Sequence, residues 1–133
     1  MKRMVGIALM TVVAFGVGNF VGAKQVCGVE CQMVRGAKMQ HLEPSDFADY
    51  ISAEGVRLVD VRTVDEYSSG HIAGAEQVDF YQPSQLRTFL SELNKEQPYA
   101  IYCNSGNRSG QTMALMQQMG FTNVTNLAGG IQA

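Results

Sequence analysis

From Gln40 to the end of the chain, short apolar runs alternate with segments of helical spacing, and this rhythm restricts the fold more than any other feature. Strands separated by helical segments pack as a parallel sheet with crossover helices, which places the chain in the α/β class. Pro44 opens a helix on which Phe47, Ala48, Tyr50 and Ile51 recur until Gly55. Residues 56–61 read as a buried strand, a helical turn around Asp65, Glu66 and Tyr67 ends at Gly70, and a strand lies near residues 75–78. Pro83 opens a helix carrying Leu86, Phe89, Leu90 and Leu93, and Tyr99–Tyr102 is the next strand. That strand runs into Cys103, after which residues 109–119 have helical spacing, Gly120 stops them, and Val124 begins a last strand. At 133 residues, 46% of them hydrophobic, the chain suits one such domain and is too short for two.

The amino-terminal end obeys a different pattern. Lys2 and Arg3 precede an apolar run over residues 4–18, and Val21, Gly22 and Ala23 offer the small residues of a cleavage site. Residues 1–23 are therefore expected to be a secretory leader, with export to a bacterial periplasm. An uncleaved anchor in the inner membrane through residues 4–22 is the alternative, although the uninterrupted run falls short of the ~20 residues of a spanning helix. Residues 24–38 contain Cys27 and Cys31 and show no periodicity, so an arm is expected there and the domain at 39–133. With a net charge of -2 and no run of lysines or arginines, a nucleic-acid partner is not expected. A small anionic or thiol substrate fits that balance better.

The chemistry concentrates at Cys103, Asn104, Ser105, Gly106, Asn107, Arg108 and Ser109. A cysteine at the carboxyl end of a parallel strand, followed by a polar loop and a helix, faces unpaired N–H groups and a positive dipole. If the loop curls, its amides converge on the sulfur and favour the thiolate, or a persulfide anion in its place. The competing reading, an inert core cysteine, needs an apolar wall that this loop does not provide.

The segment from Cys103 to Ser109 resembles the active-site loop of the rhodanese family, and two further segments agree. Asp60, Val61 and Arg62, with Glu66, Tyr67, Gly70, His71, Ile72, Gly74 and Ala75, resemble its first signature; Gly120, Phe121, Val124, Leu127, Gly129, Gly130 and Ile131 resemble its closing one. The likeness is strongest to small exported rhodaneses of the phage-shock type. It implies a five-stranded, mainly parallel sheet flanked by helices on both faces, and sulfane sulfur carried from thiosulfate or a similar donor to cyanide or a thiol through a Cys103 persulfide, with no cofactor. Cysteine phosphatases of the wider fold place arginine seventh in a longer loop; here Arg108 is sixth and Ser109 seventh, which disfavours phosphate. Residues 104–109 are the expected substrate-binding set, with amides of the loop around the terminal sulfur and Arg108 either drawing in the anionic donor or bracing the loop. Ser105 and Ser109 are expected to cap the following helix.

The remaining polar residues are assigned supporting roles. Asp60 and Arg62 should border the same sheet edge, with Arg62 pairing to Glu66 four residues on. His71 falls in a turn, and His41 lies at a strand edge with no visible partner. Two histidines and three cysteines show no zinc spacing. Cys27 and Cys31 are expected to form a local disulfide. Two other functions remain: a rhodanese-fold binding module without turnover, and a thiol-disulfide redox protein using Cys27 and Cys31. The chain stops at Ala133, soon after Gly129-Gly130-Ile131, which raises the question of what covers one sheet face.

Overall fold

The computed structural model describes residues 36–133. The leader 1–23, most of the arm 24–38 and the Cys27–Cys31 pairing lie outside the described residues. Among those described, the chain forms β1 (Lys38–Leu42), α1 (Pro44–Ile51), β2 (Arg57–Asp60), α2 (Val64–Ser69), β3 (Glu76–Gln77), α3 (Pro83–Ser91), β4 (Tyr99–Tyr102), α4 (Asn107–Gln118), β5 (Asn123–Leu127) and a closing 3-10 turn (Gly130–Gln132). The five strands make one sheet in the order β1-β5-β4-β2-β3, and all their pairings are parallel. None of the described helices is long and apolar enough to cross a membrane.

Local chemistry accounts for most boundaries. Pro44 and Pro83 sit in the first turns of α1 and α3, where a missing N–H costs nothing. Thr63 caps α2 by accepting from the Glu66 N–H while the Glu66 carboxylate accepts from the Thr63 N–H, a reciprocal capping box. β1 begins at Lys38, inside the expected arm, because the Lys38 N–H donates to the Thr122 carbonyl and five consecutive residues pair with β5. α4 begins at Asn107, two residues earlier than expected, which places Arg108 in its first turn.

Period-two alternation divides the strands between two apolar layers. Tyr99, Ile101 and Cys103 join Val59, Val61 and Val124 beneath α3 and α4, which contribute Leu86, Leu90, Met113 and Met116. Ala100 and Tyr102 join Leu58 and Leu127 beneath α1 and α2, which add Phe47, Tyr50, Ile51 and Tyr67. β4 is buried on both faces, and each large apolar side chain placed there stabilises the fold by about 1.5–3 kcal/mol. Ile131 of the closing turn packs against the second layer and supplies part of its cover. Asp60 lies opposite Tyr102 and Ile101 opposite Asn126, which brings the carboxyl ends of β2, β4 and β5 side by side.

Candidate active site

Cys103 follows the last residue of β4, and the alternation that buries Tyr99 and Ile101 turns its side chain to the α4 side. The chain then has to reverse tightly into a helix. Gly106 makes this possible with φ +88°, a left-handed conformation that side-chain-bearing residues rarely adopt. It also passes so close to β5 that an added Cβ would lie 3.2 Å from the Gly129 nitrogen and 3.3 Å from the Leu127 carbonyl.

The loop closes on the sulfur. The Gly106 N–H donates to Cys103 Sγ at 3.1 Å and the Ser109 hydroxyl donates at 3.3 Å. Burial pushes the Cys103 thiol up, but the Ser109 hydroxyl and the amides of Ser109, Ser105 and Gly106 outweigh it, and the thiol is held below its ordinary value. The thiolate, the nucleophilic form, is therefore reached more readily than in an ordinary cysteine, although Cys103 has no exposed surface. The structure thus gathers Ser105, Gly106 and Ser109 around the sulfur and leaves the Ser105 and Asn107 side chains at the surface, with Asn104 half-buried. Neither serine caps α4: Gly106 occupies that position with no side-chain hydrogen bond, and the Ser109 hydroxyl is turned inward to sulfur instead.

Arg108 is committed elsewhere. Its guanidinium donates through Nη1 to Glu66 Oε2 at 2.9 Å and through Nη2 to Glu66 Oε1 at 2.8 Å, and its ring-facing side lies 5.4 Å from the Tyr81 centroid. Of the two roles open to it, bracing the loop is the one its contacts serve. The Arg108 guanidinium holds the Glu66 carboxyl at about 2, aided by Thr63 and opposed by burial, while Glu66 raises the arginine in turn.

Arg62 does not pair with Glu66. Its guanidinium turns back to Asp60, donating from Nε at 3.0 Å and from Nη2 at 2.7 Å, and reaches the Gly70 carbonyl at 2.7 Å. The sheet decides this: both residues sit at the buried end of β2, where Arg62 finds a carboxylate already desolvated, while Glu66 is drawn to the α4 terminus. Asp60 holds Arg62 firmly protonated, against the effect of burial. Tyr102 lies beneath the pair, its hydroxyl accepts from the Ile72 N–H, and burial pushes it up to about 12. The cluster fixes the turn holding His71, which stacks on Tyr67 at 3.6 Å, clear of the sulfur's hydrogen-bond partners.

His41, expected to be alone, has a partner. Asn126 Nδ2 lies 3.0 Å from His41 Nδ1 and 3.4 Å from the Gly106 carbonyl. Asn126 is buried, and its Oδ1 has no hydrogen-bond partner among the described residues. Sequence reading also missed Thr63 and Tyr81. The capping box was visible as Thr63-x-x-Glu66 ahead of Tyr67, whereas nothing local announced Tyr81 or Asn126. Among the described residues no three His, Cys, Asp or Glu side chains gather closely enough to hold a metal ion.

Comparison with known proteins adds a family to this geometry. The family model described as "Rhodanese-like domain" matches residues 43–133. A protein named sulfurtransferase from Allochromatium vinosum is 41% identical over 80 residues, covering 60% of this chain and 72% of its own. Thiosulfate sulfurtransferase GlpE of Pseudomonas fluorescens is 30% identical over 89 residues, covering 67% and 79%. The crystal structure of a rhodanese-related protein from Thermoplasma volcanium superimposes with a TM-score of 0.60 at 28% identity, covering 70% of this chain and 87% of that one.

Proposed function

The chain belongs to the rhodanese-like domain family, and on that premise we propose that it is a sulfurtransferase in which Cys103 takes sulfane sulfur from thiosulfate or a similar anion and hands it to cyanide or a thiol. The observation that carries this reading is the convergence of the Gly106 amide and the Ser109 hydroxyl on a thiol held below its ordinary value. In the first step the Cys103 thiolate attacks the outer sulfur of thiosulfate, the new S–S bond forms as the donor's S–S bond breaks, and sulfite leaves with that electron pair. In the second, cyanide or an acceptor thiolate attacks the terminal persulfide sulfur and the Cys103 thiolate departs. No proton and no external oxidant is required. The donors that support the thiolate are preorganised to hold the persulfide anion as well, which lowers the barrier on both sides. Burial of Sγ favours donors that present a single projecting sulfur atom.

A mass gain of one sulfur on the Cys103 peptide after thiosulfate treatment is the expected result, together with loss of transfer in Cys103→Ser at unchanged circular dichroism. Full transfer in that variant, or a protein that gains no sulfur but hydrolyses phosphate esters, overturns the proposal. The reading includes export: the charge and apolar pattern of residues 1–23 support a cleaved leader, and amino-terminal sequencing of protein from the producing cell should begin at Lys24. A membrane-bound product retaining Met1 would replace export by anchoring.

A further inference from the structure

Among the described residues nothing with a formal charge donates a hydrogen bond to Cys103 Sγ; its acidity rests on the Ser109 hydroxyl and on where the N–H bonds of Ser109, Ser105 and Gly106 point. Because a peptide unit is planar, holding a carbonyl on one side aims the next residue's N–H to the other. Three carbonyls of the loop are held from outside by the segment that ends the chain or by its own helix. The Ile131 N–H donates to the Cys103 carbonyl at 2.9 Å, and the Gln132 N–H to the Asn104 carbonyl at 3.2 Å. The Gly106 carbonyl accepts from the Gly110 N–H at 3.0 Å and from Asn126 Nδ2 at 3.4 Å. The Asn104–Ser105 peptide is one of three whose N–H supports the thiolate. It lies directly against Gly130, where an added Cβ would overlap the Asn104 carbonyl and the Ser105 nitrogen. Gly130 also has φ +70°.

We infer that the closing turn is a mould for the Cys103 loop: Gly130 and Asn126 are positioning residues that set the acidity of the thiol without touching it. Gly130 lets the turn approach until its N–H groups seize the Cys103 and Asn104 carbonyls, and Asn126 holds the Gly106 carbonyl from β5, which steadies the residue whose own N–H meets the sulfur. Asn126 is a poor choice for stability alone, since its buried Oδ1 is unpaired among the described residues. A leucine of similar size would leave nothing orphaned: the Gly106 carbonyl keeps Gly110, and His41 is exposed to water. The donor is thus retained where an apolar side chain would pack as well, as expected if its service is to the loop.

The inference rests on Cys103 being the reactive thiol, and its test needs no sulfur donor. Full-length wild type, Gly130→Ala and Asn126→Leu are alkylated with iodoacetamide across a pH series, with the Cys103 peptide followed by mass spectrometry. Gly130→Ala should move the midpoint of the rate profile upward and slow alkylation on its acidic side about tenfold, since the thiolate is the reacting form. Asn126→Leu should shift it in the same direction, about threefold, with an unfolding midpoint equal to or above that of wild type. A purely structural role would lower the unfolding midpoint and leave the pH profile in place. If Gly130→Ala does not fold, Asn126→Leu decides alone. A folded variant with the wild-type profile overturns the inference whether or not the wild type transfers sulfur.

Discussion

Two arginine–carboxylate forks flank the Cys103 loop, and they do different work with the same chemistry. Asp60 and Arg62 lie two residues apart at the end of β2, with side chains 0% and 6% exposed; Glu66 and Arg108 join α2 to α4 across 42 residues, at 28% and 15%. The first pair is dry, and every donor it spends goes to fixing the β2 end and the turn at Gly70. The second is wetted, reaches the loop, and cancels the only cation in the segment from Cys103 to Ser109. Burial decides which of the two is indispensable to the fold. Position decides which one can affect the site, because the field of Arg108 reaches Cys103.

The comparison breaks first, if it breaks, at Asp60. Asp60→Ala leaves a buried guanidinium without its counter-charge, so stability should fall by about 3–5 kcal/mol in denaturant unfolding. The molecules that remain folded should still take up sulfur. A variant as stable as wild type would show that the buried fork contributes little.

Glu66→Gln is expected to cost less, about 1 kcal/mol or below, since the pair is partly solvated and glutamine keeps the capping box. It should also uncover the charge of Arg108, so that KM for thiosulfate falls about twofold to threefold with little change in kcat, an effect of the size expected from one screened charge. A raised KM would mean that the clamp matters more than the charge. The same carboxyl sets a pH dependence. Its folded value is about 2 against 4.5 ordinarily, so its contribution is fully present above pH 4.5 and is lost as the pH falls toward 2. Wild type should lose stability relative to Glu66→Gln across that window, and parallel curves would remove the linkage.

Tyr81→Ala is the mildest change. It removes an exposed ring that lies over Arg108, a contact of about 0.5–1 kcal/mol, and should lower the unfolding midpoint slightly while the thiol profile stays put. A change in that profile would mean that Tyr81 shapes the loop as well as its rim.

Much of this was legible along the chain. The apolar run Tyr99–Tyr102 predicted a strand leading directly into Cys103, while the side of the sheet that the sulfur faces emerged only from the two packed layers. The order strand, glycine-containing loop and helix predicted the amide cradle. The helix over residues 109–119 was two residues short at its start because Gly106 ends the loop with a left-handed turn, which spacing does not reveal. Ser109 looked like a cap because serine near a helix start usually is one, and the sulfur claimed its hydroxyl instead.

The pairings behaved otherwise. Arg62 and Glu66, four apart, satisfied a helical rule and chose other partners, because β2 ends in a dry place at Asp60 and the first turn of α2 meets the first turn of α4. His41 found Asn126, 85 residues away, through the β1–β5 register. The sequence by itself determined the strands, the helices and the loop cysteine at the end of β4, since those follow from periods of two and 3.6 residues and from side-chain chemistry acting over one turn. Only the tertiary structure decided which carboxylate meets which guanidinium, and that a glycine turn at the end of the chain lies against the loop. Those depend on strand order and on burial, which no local period encodes.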